Sequence, residues 1–204
     1  MNTARRVAIA AIVVALGLLS SCVELDTRIT FRTAESGSIT LDYRIDSRVL
    51  AIGMFDDDAS ILPLPVAQRD FAQTAAAIDG LDLRSYRMRE REGVTTVTAE
   101  LSFATAEALA AFFGPSAPAV VEVGAGETRF RHRLFDGFPD GVAEPGSRFA
   151  DSFFSDATVR VTVTTPSAMT NHGAGDASGR SVTAEFMASD LLARTQPVWI
   201  DVTW

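Results

Sequence analysis

The sequence predicts an α+β fold, with an antiparallel, largely one-sided β-sheet and a few short helices packed on one face. Most segments alternate apolar and polar residues with period two, which is typical of strands that have one buried and one solvated face. Two short segments favour helix instead. Residues 67–79 are Ala-rich, with apolar residues at helical spacing and Gly80 as a stop, and Thr105 can cap a helix that ends at Gly114.

The first half of the chain is predicted to follow the order β-β-α-β-β-α. Residues 23–31 and 39–45 alternate and are joined by the sequence TAESGS, which predicts an antiparallel hairpin. After the first helix, residues 83–91 and 97–103 alternate around an EG turn and predict a second hairpin. The second predicted helix closes this half.

The second half has weaker signals, because glycine and proline interrupt it repeatedly. We predict that its strands continue the same sheet and that residues 22–204 form one domain. The predicted strands are 120–123, 129–135, 159–163, 182–186 and 198–204, with a short helix over 189–194.

The N-terminal residues 1–21 predict a lipoprotein signal peptide. Two arginines precede an apolar run of 13 residues, 7–19, which is shorter than the roughly 20 residues of a membrane span. The tetrapeptide 19–22, LSSC, resembles the lipobox of bacterial lipoproteins. That resemblance implies cleavage after Ser21 and attachment of diacylglycerol, with acyl chains such as palmitate, to Cys22. An ordinary secretory signal or an uncleaved anchor is the alternative.

The composition restricts the partners that the protein can have. Cys22 is the only cysteine, so its acylation leaves no disulfide and no thiolate metal site. The 18 basic residues are all arginine, and removal of residues 1–21 leaves 16 of them against 26 acidic residues, a net charge of −10. Such an acidic surface repels phosphate backbones, so we expect no nucleic-acid partner.

Two rows of arginines predict a candidate cationic face. Alternation places each row on one face of a strand. If the two strands were neighbours, the rows would form a patch suited to phosphate or sugar-acid groups. The alternative is that acidic residues on adjacent strands pair with them. The rows are Arg87, Arg89 and Arg91 on one strand and Arg129, Arg131 and Arg133 on the other.

A group of apolar residues in predicted loops is a candidate lining for an acyl-chain pocket, or a surface that rests on the membrane. Their alternative role is to complete the core beneath long loops. The candidate pocket residues are Met54, Phe55, Phe138, Phe149, Phe153 and Phe154.

Catalytic and metal signatures are weak, and we expect neither an enzyme nor a cofactor. Asp56-Asp57-Asp58 is a metal candidate, but three consecutive aspartates lack the alternating spacing of a calcium loop and predict a solvated loop. The chain has two histidines, His132 and His172, and no Gly-x-Ser-x-Gly elbow, phosphate loop or zinc helix motif. Paired carboxylates for glycoside hydrolysis stay an alternative, because their spacing is set in three dimensions. A cleft in which acidic residues converge on His132 or His172 would also favour a hydrolase.

Several segments in a fixed order resemble the LppM-type family of bacterial lipoproteins. They are VELDTRITF directly after Cys22, GSITLDYRI, LPLP before the first helix, and VRVTVTTPSAMTNHG near the C-terminus. The chain departs from the family pattern at Ser167, where glycine is usual, and at Ala184, where tryptophan is usual. The resemblance implies an envelope lipoprotein whose α+β domain has an apolar cavity for lipid or glycolipid.

Together these observations predict a bacterial envelope lipoprotein that is anchored to a membrane by its N-terminal lipid. Val23 after the acylated cysteine, in place of aspartate, favours the outer membrane where both membranes exist. We expect a non-catalytic binding module for a lipid or glycolipid. The alternative is a scaffold subunit of an envelope complex that uses a sheet edge, and a hydrolase is the third hypothesis.

Overall fold

The structure is a computed structural model, and it describes residues 23–47, 65–115, 117–137 and 157–204. Strands dominate these ranges, and the helices are short. In chain order the elements are β1 (Val23–Phe31), β2 (Gly37–Asp46), α1 (Gln68–Ala77), β3 (Leu81–Arg91), β4 (Val94–Phe103), α2 (Ala106–Phe113), β5 (Ala119–Val123), β6 (Thr128–Phe135), β7 (Thr158–Thr164), β8 (Asn171–His172), β9 (Asp176–Ser178), β10 (Ser181–Met187), α3 (Ala188–Leu192) and β11 (Val198–Thr203).

The described strands form two sheets, where the sequence predicts one continuous sheet. The larger sheet has the order β3-β4-β2-β1-β7-β10-β9, and the smaller has the order β5-β6-β11-β8. All pairs are antiparallel except β1 and β7, which run parallel. A parallel pair requires a long crossover, and here the chain leaves the larger sheet after β4 and builds β5 and β6 before β7 returns beside β1. The chain therefore has an α+β fold with one mixed sheet.

One face of the larger sheet forms the main core. Ile29, Ile39 and Leu101 are directly opposite one another on β1, β2 and β4, and all three are buried. Val163 and Val182 continue the same row on β7 and β10. The opposite face carries hydroxyl and charged side chains, because the strands alternate as their sequences predict.

The helices lie against the ends of this core. In α1, Phe71 is buried, and its ring centroid lies 5.8 Å from that of Tyr86 on β3. In α2, the Thr105 hydroxyl accepts a hydrogen bond of 3.2 Å from the Ala108 amide, and the helix ends at Gly114 with φ of +66°. The predicted cap and stop of α2 are therefore confirmed, because both depend on local backbone geometry alone.

An aromatic cluster joins the two sheets. The ring of Phe31, at the end of β1, lies 5.6 Å from Phe103 on β4, 5.2 Å from Phe130 on β6 and 4.9 Å from Trp204. Reciprocal backbone hydrogen bonds between Thr128 and Trp204 hold the last residue in place. Buried residues of both sheets therefore contribute to one hydrophobic core.

Gly37 occupies a position beside this cluster where a side chain does not fit. A Cβ atom there would overlap the backbone carbonyl oxygen of Thr30 and lie 2.7 Å from Cζ of Phe103. We expect Gly37→Ala to lower the free energy of unfolding by about 1–3 kcal/mol, as overpacked core positions do. Urea denaturation measures the change.

The matched control for Gly37→Ala is Gly173→Ala. At Gly173 the nearest atom to a new Cβ is the Asp201 Cβ, at 3.4 Å, which is an ordinary contact distance, and we expect a change within about 0.5 kcal/mol there. Equal changes in the two variants would contradict the steric explanation.

Candidate functional site

The second arginine row lies along one face of β6. Arg129 is exposed, and Arg131 and Arg133 are half-buried, whereas Phe130 and His132 between them are turned into the core. The alternating pattern of this strand therefore separates a charged face from an apolar one, as the sequence indicates.

Asp201 on the neighbouring strand β11 pairs with two of these arginines. The Arg129 guanidinium donates two hydrogen bonds to the carboxylate, one from Nε to Oδ1 at 2.9 Å and one from Nη2 to Oδ2. Arg131 Nε lies 3.5 Å from the same Oδ2. The hydrogen bond from Arg129, together with the charges of both arginines, lowers the pKa of Asp201 below its ordinary value, while partial burial opposes that shift.

Trp199 and Asp136 also contact this row. The guanidinium carbons of Arg131 and Arg133 lie 4.8 and 5.7 Å from the centre of the Trp199 ring, within cation–π range. Arg133 Nε is 2.7 Å from Asp136 Oδ1 but is not oriented for a hydrogen bond to it. Each of the three arginines thus has a carboxylate within 4 Å, but Arg129 and Arg131 share Asp201, so the two carboxylates offset two of the three charges.

The first arginine row lies on β3, at the edge of the larger sheet. Arg87, Arg89 and Arg91 are all exposed, and they lie opposite Thr98, Thr96 and Val94 on β4. Arg91 pairs with Glu92 at 3.2 Å. Neither Arg87 nor Arg89 has an ion pair within the described ranges.

The two rows are not on neighbouring strands, because β3 and β6 belong to different sheets. The pairing of the strands therefore does not bring the two rows together into one cationic patch. Around β6 the alternative interpretation describes two of the three arginines, since Asp201 on the adjacent strand β11 pairs with Arg129 and Arg131. The β3 row differs, because two of its three charges have no partner in the described part of the chain.

The polar face of the larger sheet carries an ion-pair network that sequence reasoning missed. Arg160 on β7 pairs with Glu185 on β10 at 2.7 Å and lies 3.8 Å from both Glu24 and Asp26 on β1. Arg44 on β2 pairs with Glu24 at 3.3 Å. Alternation places these residues on the polar face, but only the parallel pairing of β1 with β7 brings Arg160 beside the two acids.

The histidines do not form a catalytic site within the described residues. His132 is buried, and its ring centroid lies 4.2 Å from Phe113 and 6.3 Å from Phe130. Burial lowers the pKa of His132 to about 4, although hydrogen bonds with the Pro118 and Ala117 backbone act in the opposite direction. His172 is exposed on β8, with Nδ1 3.2 Å from the Gly173 carbonyl oxygen.

The part of the chain that the structure describes has neither clustered metal ligands nor a membrane-spanning helix. No group of three or more histidine, cysteine, aspartate or glutamate side chains there is placed to hold a metal ion. Within the same ranges no helix combines the length and the apolar character that a membrane crossing needs.

Several predicted site residues lie outside the described residues, and their roles stay predictions. They are the signal peptide with its cleavage site at Ser21, the lipid attachment site Cys22, the aspartates 56–58, and the candidate pocket residues Met54, Phe55, Phe138, Phe149, Phe153 and Phe154.

Comparisons with known proteins identify one related architecture. No family model and no curated protein sequence matches the chain. Among solved structures, the chain is similar to the folded domain of LppM from Mycobacterium tuberculosis, which was determined by NMR. The match has a TM-score of 0.51, covers 89% of this chain and 88% of that domain, and has 13% sequence identity. The chain therefore shares the fold of the LppM domain.

Proposed function

We propose that this chain is a lipid-anchored module of a bacterial cell envelope that binds an amphiphile, such as a lipid or glycolipid, without catalysing a reaction. The predicted signal peptide and lipobox support the anchor. The shared fold agrees with the sequence resemblance to a family of envelope lipoproteins.

The observation that carries the proposal is the position of the first strand. β1 begins at Val23, which is fully buried and paired with Ile45 on β2. Val23 follows Cys22 directly, so the folded sheet begins one residue after the predicted lipid. A domain joined to its lipid with no spacer is held against the bilayer by this end of the larger sheet.

Two of the segments that carry candidate apolar residues join the described strands at this end of the larger sheet. Ser47 directly follows β2, two residues beyond the partner of Val23, and Ala157 directly precedes β7, which runs parallel to β1. Met54 and Phe55 follow Ser47 in sequence, and Phe154 lies shortly before Ala157. This short sequence distance from the lipid-proximal end supports a role in contact with acyl chains.

The anchor is tested by the substitution Cys22→Ala. We expect the chain with its native leader to incorporate labelled palmitate in a bacterial host, and the variant to incorporate none, because the thiol is the acylated group. As a control, Ser178→Cys in the Cys22→Ala background places a thiol on an exposed strand and should not restore labelling. Labelling of Cys22→Ala would contradict the proposed anchor.

Amphiphile binding is tested separately, by native mass spectrometry and by lipid transfer from vesicles to the anchored chain. We expect a co-purified or transferred lipid that is lost when Met54 and Phe55 are replaced by glutamate. The control is Val123→Glu, because Val123 is 55% exposed on β5 and far in sequence from these segments. A spectrum without any bound amphiphile, together with no transfer, would contradict the binding function but leave the anchor intact.

A second candidate function is that of an interaction subunit in an envelope complex. The observation that favours it is the open edge of the larger sheet, where β3 has β4 on one side and no strand on the other within the described residues. An exposed edge strand can pair with a strand of another protein.

A further inference from the structure

The C-terminal half of β3 is an exposed sheet edge. Residues 87–91 are exposed on both faces, and Met88, which lies on the core side opposite Val97, is 49% exposed. The strand nevertheless keeps a regular antiparallel register with β4 up to Arg91. An edge that is both regular and exposed presents backbone donors and acceptors in the spacing of the next strand.

The backbone along this edge has no partner other than β4 in the described part of the chain. The remaining backbone hydrogen bonds near β3 involve its start, where the Leu81 amide binds the Ile78 carbonyl, and the turn after it, where Ser47 binds Gly93. In that turn Glu92 and Gly93 both have positive φ, of 55° and 77°, which closes a tight hairpin, and the register of β3 with β4 is regular from Ser85 to Arg91.

The charge of the edge is unusual for this protein. The chain has a net charge of −8, yet Arg87, Arg89 and Arg91 project from one face of a single strand within five residues. Arginines elsewhere on this polar face, such as Arg44 and Arg160, pair with glutamates of neighbouring strands. Arginines at the centre of this face thus have acidic partners on neighbouring strands, whereas Arg87 and Arg89 at the edge have no ion pair within the described residues.

We propose that the outer edge of β3 binds an extended segment of a partner protein that carries acidic side chains at alternating positions. Backbone hydrogen bonds with β3 add the segment to the sheet, and its acids lie beside the three arginines. On the other face, an apolar residue of the segment covers Met88. The partner is therefore recognised as an amphipathic acidic strand.

The same charges disfavour a second copy of this chain as the occupant. Pairing of β3 with β3 of another molecule would place arginines beside arginines, which is unfavourable between adjacent strands. Charged edges prevent self-association in many proteins, and that role is compatible with the proposal. The arginine row of β3 repels the same row on a second copy of the chain and attracts a strand that carries negative charges.

This proposal rests on the second candidate function, an interaction subunit, and specifies the edge that binds and the chemistry of the partner. It does not depend on amphiphile binding, and its test uses no lipid ligand. Failure of one proposal therefore leaves the other standing.

The test uses the full-length chain in uncharged detergent and a short peptide of alternating glutamate and valine, with the same peptide carrying lysine as its counterpart. We expect the glutamate peptide to bind at least about tenfold more tightly, because three favourable cross-strand pairs replace three repulsive ones. Amide shifts in ¹⁵N NMR spectra should be confined to β3 and its hairpin. The preference should weaken with added salt.

Charge-reversal variants locate the site. Arg87→Glu with Arg89→Glu should reverse the preference, so that the lysine peptide binds more tightly. The control, Arg69→Glu with Arg180→Glu, changes two exposed arginines on other elements, carries the same net charge, and should keep the original preference. A glutamate peptide with alternate backbone nitrogens methylated should not bind, because it cannot complete the strand pairing.

Four results would overturn the proposal. They are equal binding of the two peptides, equal effects of the two charge-reversal pairs, undiminished binding of the methylated peptide, and binding that appears only after Asp56, Asp57 and Asp58 are changed to asparagine. The last result would mean that the chain's own acids occupy the edge. Circular dichroism of each variant confirms that a loss of binding is not a loss of folding.

Discussion

Phe31→Ala should lower the free energy of unfolding by about 3–5 kcal/mol, the usual range for removing a buried aromatic ring. The ring of Phe31 is 2% exposed and touches both sheets through Phe103, Phe130 and Trp204. The substitution therefore removes burial and leaves a cavity at the junction of the two sheets.

Urea denaturation, followed by tryptophan fluorescence and far-ultraviolet circular dichroism, measures this change. Trp204 reports on the junction itself, whereas circular dichroism reports on both sheets. Val123→Ala is the control, because Val123 is exposed, and we expect its effect to stay within about 0.5 kcal/mol. A change below about 1 kcal/mol for Phe31→Ala would contradict the idea that the cluster joins the sheets.

The free energy of unfolding should also fall as the pH is lowered from 6.5 to 4, through the protonation of His132. The folded-state pKa of His132 is lowered to about 4 by burial, whereas the ordinary value is 6.5. Between these values the unfolded chain binds a proton at this site that the folded chain does not, so acid favours unfolding. The contribution is fully present above pH 6.5, is lost down to pH 4, and amounts to about 3 kcal/mol.

The cause of this shift is the burial of the imidazole among uncharged residues. The ring lies against Phe113 and Phe130, and the residues opposite on the adjacent strands are Ala119 and Ile200. No carboxylate among these neighbours stabilises the protonated form. Protonation of the buried ring therefore places a positive charge away from water, and few nearby groups compensate for the lost hydration.

Comparison of the wild type with His132→Gln isolates this site, because the carboxylates that titrate in the same range are common to both proteins. The difference between their unfolding free energies should change by about 3 kcal/mol between pH 7 and pH 4. An NMR titration of the imidazole gives the folded-state pKa directly. A constant difference, or a folded-state pKa near 6.5, would show that the ring is not desolvated.

Local elements of this fold were predictable because their determinants are local. The β1–β2 hairpin follows from alternation around a polar turn, and α2 begins at the Thr105 cap and ends at the Gly114 stop. The candidate site was less predictable. Alternation places three arginines on one face of β6, but nothing in that strand indicates that Asp201, some 70 residues later, pairs with two of them.

The sequence by itself determined the α+β class, the strand faces and the short helices, because side-chain periodicity and caps act over a few residues. Tertiary structure alone decided that the described strands form two sheets, that β1 and β7 run parallel, and that the two arginine rows lie in different sheets. Partners of a strand are chosen by packing between segments far apart in the chain. The free energy of this packing arises only when the segments are assembled in the core, so the sequence of a single segment does not reveal it.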